Sequence, residues 1–310
     1  MLEKIIYINH VNEKIEFGNT GIYANYNDLR DYLWKYDMRA ESIVKFKRET
    51  TEKSLPVVIY CESEEEGIAT RNVLLETSEK DVLSKTPGTL YIGDYYLKCY
   101  IIGSKKASYL QDKRYMTTVF TLVTDHPFWC RDKTYSFYAS TEQIVDNQNR
   151  EEIGSILDGV DLSPEYPRDY PYGYITKYKP AKRRYLRDYA YDYYRNHTIG
   201  KLDNDHFASS AFRLIIYGPC SHPEIRIGDN LYRVSAVLYD SEYLVIDSRE
   251  RTIVKYGRNG VQTNMFNARD KENYIFEKIP AGKQAVKWNA QYAFDVVLYQ
   301  ERSEPAWSIS

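Results

Sequence analysis

From residue 207 onward the chain is a succession of short apolar-alternating runs, "FRLIIYG", "PEIRIGD", "NLYRVSAVL", "EYLVID", "TIVKYG", "KQAVKWN" and "YAFDVVLYQ". Turn signals such as Gly228-Asp229-Asn230, Asn259-Gly260 and Pro280-Ala281-Gly282 separate them. Period-two alternation gives each run one buried and one solvated face, and nothing between the runs has helical spacing. Many short strands at this density leave few folds open, and an antiparallel β-sandwich accommodates them all.

The first 138 residues are mixed. "LEKIIYI" and "EKIEF" flank "NHVN" as strand, turn and strand, while "ESIVKFKRE" and "LPVVIYCE" are rich in β-branched residues and read as strands. In "YNDLRDYLWKYD", Tyr26, Leu29, Tyr32, Leu33 and Tyr36 recur at helical spacing and predict a short helix. A stronger helix begins at Ser63, where Glu66 three residues later completes a capping box, and runs toward Lys85 before Pro87-Gly88. "TLYIGDYYLKCYIIG" predicts a hairpin turning at Gly93-Asp94, followed by a strand in "RYMTTVFTLVTD". A chain of 310 residues accommodates two domains of this kind. We expect them at 1–138 and 139–310. If "KTYSFYA", residues 133–139, belongs to the sandwich, the segment at about 164–206 is an insertion within it.

That segment has an unusual composition. Residues 166–196 hold ten tyrosines and eight Lys or Arg against three aspartates. Interleaved rings and cations suit single-stranded nucleic acid, where bases stack and cations track phosphates, but they also suit protein interfaces. The whole chain has 42 Lys plus Arg against 44 Asp plus Glu, a net charge of -2, so no global basic field supports the first reading. We therefore expect partner docking through Tyr185, Arg187, Tyr189, Tyr193 and Tyr194, with a loop packed on its own domain as the alternative, and no nucleic-acid partner. Tyr185, Tyr189 and Tyr193 would share one face of a short helix. Pro164, Pro167, Pro171 and Pro180 argue against one long helix there.

No residue set announces chemistry. The chain lacks a phosphate-binding G-x-x-x-x-G-K-[ST] loop, a G-x-S-x-G elbow and an H-E-x-x-H helix. Asp240, Glu242 and Asp247 read as solvated turn acids rather than a facing catalytic pair. Cys61, Cys99, Cys130 and Cys220 are far apart and read as free thiols. Neither His126 with Cys130 nor Cys220 with His222 has the spacing of a structural zinc motif. We expect no catalytic residues, no cofactor and no bound metal. The N-terminus carries acids in place of a signal-peptide apolar stretch, and no run of about 18 apolar residues occurs, so we expect a soluble protein without membrane insertion.

"FTLVTDHPFWCRDKTYSF", residues 120–137, followed downstream by "HPEIRIGDNLYRV", "EYLVID", "IVKYGRNG" and "FEKIPAGK", resembles the distal tail protein of long-tailed, siphophage-type bacteriophages. Pro127, Phe128 and Trp129 resemble the apolar-Pro-aromatic domain junction of that family; Ile246-Asp247, Asn259-Gly260 and Pro280-Ala281-Gly282 follow the order of its second domain. The resemblance implies a mainly β protein. Its N-terminal tail-tube-like β domain has one packed helix and is followed by a galectin-like or carbohydrate-module-like antiparallel β-sandwich carrying an insertion. It further implies a structural virion protein of the tail tip or baseplate, assembled in the host cytoplasm. Six copies would form a ring joining the tail tube protein to the tail-tip hub, and the insertion would reach receptor-binding or fibre proteins. The alternative is a carbohydrate-binding module for host adhesion, with Trp288 and Trp307 as stacking residues. Trp288 lies in an alternating strand and reads more readily as core.

Overall fold

The computed structural model describes residues 4–18, 21–24, 27–109, 113–139 and 198–307. The chain divides into two units, Met1–Arg131 with Glu301–Ser310, and Asp132–Gln300. The division falls seven residues before the expected position 138, and the last ten residues return to the first unit.

The first unit contains β1 (Ile5–Ile8), β2 (Lys14–Phe17), β3 (Ile22–Ala24), β4 (Lys35–Arg39), β5 (Ser42–Lys47) and β6 (Thr51–Tyr60). After α1 (Glu64–Ser84) come β7 (Gly88–Ile92), β8 (Tyr95–Tyr109) and β9 (Tyr115–Thr124), and β10 (Trp129–Phe137) runs across the division. The antiparallel order is β2-β1-β7-β8-β9-β6-β3. β8 serves both halves of this sheet because its register shifts at Ile101/Gly103, letting one 15-residue strand bend from β7 to β9. Alternating residues such as Leu55, Val57 and Ile59 of β6 and Leu90 and Ile92 of β7 face one core, with Leu74 from α1 and Trp129 from β10.

The ends of α1 follow the sequence. Ser63 Oγ accepts from Glu66 N at 3.1 Å, while the Glu66 carboxylate accepts from Glu62 N at 3.3 Å, one residue ahead of the cap itself. At the other end Lys85 takes a left-handed conformation, φ 54°, and its N–H donates to Val82 O at 3.2 Å.

The expected helix in "YNDLRDYLWKYD" is not formed over any of its described residues, which run from a turn at 28–30 through irregular chain into a strand. Lys35–Arg39 is instead a strand paired with Ser42–Lys47, turning at Ala40-Glu41. Helical spacing of Leu29, Tyr32, Leu33 and Tyr36 competed with the β preference of the aromatic and branched residues in "WKYD" and "SIVKF", and cross-strand pairing won. Leu29 is buried from a turn, where its carbonyl accepts from Trp129 Nε1 at 3.3 Å.

The second unit is the expected antiparallel sandwich. β11 (Thr198–Asn204), β12 (Ala211–Tyr217), β13 (Cys220–Ser221), β14 (Glu224–Ile227), β15 (Asn230–Arg233) and β16 (Val237–Leu238) come first. They are followed by β17 (Tyr243–Asp247), β18 (Thr252–Tyr256), β19 (Gln262–Asn264), β20 (Gly282–Trp288) and β21 (Phe294–Arg302). One sheet has the order β19-β18-β17-β12-β21 and the other β11-β20-β14-β15. Leu214, Ile216, Leu244, Ile246 and Val296 of the first sheet meet Leu202, Ile225, Ile227 and Val286 of the second in one core. The expected insertion at 164–206 is therefore too long at its far end. Residues 198–204 are β11, paired with β20 over its whole length, and Leu202 is 0% exposed.

Candidate assembly surfaces

Hairpin β4–β5 forms its own two-stranded sheet, apart from the main sheet of the first unit. All of β4 and all but the last residue of β5 are exposed. Pairing puts Tyr36 and Phe46 together on one side and Lys35, Asp37, Lys45 and Lys47 on the other, and a register shift at Asp37/Met38 leaves Val44 at a bulge before Met38 pairs with Ile43. Val44 is 61% and Phe46 59% exposed. The charged side is internally paired, with Lys47 Nζ 3.2 Å from Asp37 and Lys35 Nζ 2.6 Å from Glu49. The hydrogen bond from Lys35 holds the Glu49 carboxyl below its usual range. A two-stranded ribbon is marginal in water, and this one carries apolar side chains that the described residues leave exposed.

At the base of the hairpin Arg48 is packed among rings, 4.9 Å from the Phe128 centroid and 5.9 Å from those of Tyr32 and Trp34. Its Nε and Nη1 are buried without a hydrogen-bond partner among the described residues, and burial lowers its guanidinium pKa. Ring faces supply the compensation. Of the three residues expected at a domain junction, Pro127 and Trp129 are buried, whereas half-buried Phe128 meets Trp34 edge-on at 5.8 Å and His126 at 5.1 Å.

α1 adds a second exposed apolar surface. Toward its own unit it turns Gly67, Leu74, Thr77, Ser78 and Asp81, while Ile68, Leu75 and Val82, each seven residues apart, remain exposed. A helix serving only its own core would present the apolar stripe inward. Apolar residues are spread around the helix with almost no one-sided bias, so the sequence carried no periodic signal for this surface.

On the second unit, Tyr217, Tyr243 and Tyr256 stand opposite one another on three adjacent strands, forming a ladder on the outer face. Tyr243 and Tyr256 stack at 4.7 Å with 6° between planes, and Tyr217 Oη donates to Asp295 at 2.7 Å. Desolvation and that hydrogen bond push the Tyr217 phenol up to about 12. Trp288 is core, edge-on to Phe137 at 5.5 Å and Phe294 at 5.2 Å. Trp307 is exposed, with Arg30 over its ring at 4.0 Å. Asp240 and Asp247 are not brought together as a pair: Asp240 lies on an exposed turn beside Arg258 at 3.5 Å, and Asp247 accepts from Tyr299 Oη at 2.8 Å and Arg213 Nε at 3.2 Å. The expected docking residues Tyr185, Arg187, Tyr189, Tyr193 and Tyr194 lie outside the described residues. Among the described residues, no helix is long and apolar enough to cross a membrane.

A ribbon-bearing β unit with one described α-helix is followed by an antiparallel sandwich, and this architecture has solved counterparts. The chain is similar to a protein in the phage P2 baseplate in its activated conformation with Ca, at 14% identity and a TM-score of 0.58, covering 98% of this chain and 100% of that one. The same baseplate with Sr matches at 14% identity and a TM-score of 0.56 over 98% and 100% of the two chains. The SPP1 Dit protein, described as a paradigm of hub adsorption apparatus in phages infecting Gram-positive hosts, matches at 6% identity and a TM-score of 0.55 over 97% and 100%. No family model matches the sequence, and no curated protein matches it significantly. The likeness is one of fold: the chain shares the fold of the SPP1 Dit protein and of the phage P2 baseplate protein over 97% and 98% of its length.

Proposed function

We propose that the protein is a structural component of a phage tail tip, a homohexameric ring that joins the tail tube protein to the tail-tip hub and carries peripheral receptor-binding or fibre components. The observation that carries this reading is the β4–β5 hairpin, with Tyr36, Val44 and Phe46 exposed while Lys35 and Lys47 are held in ion pairs with Glu49 and Asp37. A ring of identical subunits needs heterologous contacts, in which one patch meets a different patch on the neighbour, and a protruding ribbon supplies one half of such a contact. The α1 stripe of Ile68, Leu75 and Val82 is a second surface suited to a neighbour. Residues 164–197, with Tyr185, Arg187, Tyr189, Tyr193 and Tyr194, supply the docking chemistry for fibre components, since Tyr offers large area at low rotamer cost and Arg a hydrogen-bonding fork. In this reading the protein is not an enzyme, and the purified chain leaves peptidoglycan, polysaccharide and peptide substrates intact.

Light scattering on the full chain tests the ring. We expect hexamers, and for the double variant Val44→Ser/Phe46→Ser a folded monomer at the same concentration. A parent that stays monomeric at every accessible concentration, or a double variant that still closes the ring, overturns the reading.

The Tyr217, Tyr243 and Tyr256 ladder favours a second reading, carbohydrate binding at the cell surface, because stacked phenols on an open sheet face suit pyranose rings. A glycan array with the full chain and with Tyr243→Ser separates the two. Binding that requires Tyr243 favours adhesion, and a blank array favours a purely structural role.

A further inference from the structure

Cys130 is 2% exposed yet belongs to neither hydrophobic core, whereas Cys61 and Cys99 pack within the core of the first unit. Its position in β10 explains this. Trp129 points into the core, so Cys130, the next residue in a strand with alternating sides, points away from it. What lies on that side is polar. His126 Nε2 is 3.0 Å from Glu301 Oε1, and one ligand atom from each of His126, Cys130 and Glu301 falls within 4.8 Å of the others. All three belong to the first unit, His126 and Cys130 just before the chain leaves it and Glu301 just after it returns.

We propose that His126, Cys130 and Glu301 form a zinc site. A thiolate, an imidazole and a carboxylate are the donor types zinc takes, with bonds of about 2.3 Å to sulfur and about 2.0–2.2 Å to nitrogen and oxygen. Tetrahedral bonds of those lengths set ligand atoms roughly 3.3–3.8 Å apart, so a separation as wide as 4.8 Å has to close by about 1.0–1.5 Å. The thiol excludes calcium and magnesium, which take oxygen donors. Three protein ligands leave a fourth position for water. Binding releases the thiol proton and ties residue 301 to the 126–130 segment. The spacing His-x-x-x-Cys by itself offers two ligands; the third lies 171 positions further along and is visible only in the fold.

The test uses the full chain, stripped with a chelator and titrated with Co²⁺ under reducing conditions. We expect one equivalent to bind with a sulfur-to-cobalt charge-transfer band and tetrahedral d–d bands, all displaced by Zn²⁺. Cys130→Ser should abolish the charge-transfer band, and His126→Gln and Glu301→Gln should each weaken Zn²⁺ binding by about tenfold or more. Cys220→Ser, beside His222, should leave the spectrum unchanged. If Cys130→Ser fails to fold, the half-exposed His126 provides the independent arm. A folded parent without the thiolate band, a band that survives Cys130→Ser, or Zn²⁺ affinity unchanged in a folded His126→Gln overturns the site.

Discussion

The hydroxyl of Tyr7 on β1 donates to the carboxylate of Asp81 on α1, at a position where Asp81 is 0% exposed. Burial and the adjacent Asp81 push the Tyr7 phenol up, so it remains a donor at any physiological pH. His10 completes the arrangement, with its backbone N donating to Asp81 Oδ1 at 2.9 Å and its Nδ1 2.6 Å from the same oxygen. A buried carboxylate is tolerated only with such partners. Removing the phenol should therefore cost about 1–3 kcal/mol, the desolvation of an acceptor left short of a donor. Urea unfolding of Tyr7→Phe checks this, and a midpoint equal to the parent's would mean that His10 alone satisfies Asp81.

Gly67 sets helix propensity against packing. Alanine in a helix interior is normally favoured over glycine by about 1 kcal/mol. Here a Cβ would run into the backbone carbonyl of Lys113, which has no flexible end to move aside. We expect Gly67→Ala to be net destabilising by about 1–3 kcal/mol, as overpacking against rigid neighbours is. A raised melting temperature would show that the 113–114 turn yields.

Deleting residues 164–206 removes β11 and with it Leu202, so the second unit should be lost from the soluble fraction. A deletion of 164–197 with a short Gly/Ser linker spares β11, and if that segment is the expected insertion the second unit should keep its fold, since loop-closure entropy is a slow function of length. Leu202→Ala isolates the packing contribution and should cost about 2–5 kcal/mol. Near-UV circular dichroism distinguishes the three proteins. If the longer deletion retains the parent's spectrum, β11 is dispensable.

Asp270 gives the second unit an acid-sensitive contact. It accepts from Asn273 Nδ2 at 3.0 Å and Glu272 N at 3.1 Å, and Arg233 Nη2 lies 3.0 Å away. The Asn273 hydrogen bond, then the Glu272 amide, then the Arg233 charge hold its carboxyl below the usual range. Because the folded-state pKa lies below the unfolded one, the contribution is complete above about pH 4 and is lost as pH falls through the folded value. Asp270→Asn should therefore lower stability at neutral pH and flatten its decline below about pH 4. A variant whose acid-unfolding curve keeps the parent's slope would assign the decline to other carboxylates.

Local rules made much of this legible. Alternation identified the strands of the sandwich, the Ser63 cap located α1, and Gly93-Asp94 fixed a two-residue hairpin, because each depends on neighbours within a few residues. The same locality misread Lys35–Arg39, whose partner strand decided its conformation, and attached β11 to the insertion, since "TIGKLDN" has a weak pattern until β20 lies beside it.

Gly88 shows the limit most clearly. Beside Pro87 it reads as a helix stop, yet a Cβ there would strike both the Tyr7 hydroxyl and the Asp81 carboxylate, so the missing side chain is what lets that buried pair meet. Composition and periodicity determined that the chain would form strands, one capped helix and a sandwich, because burial of one strand face is a short-range demand. Which apolar residues stayed outside on β4–β5 and α1, and that Glu301 joins His126 and Cys130, were decided by packing between segments far apart in sequence.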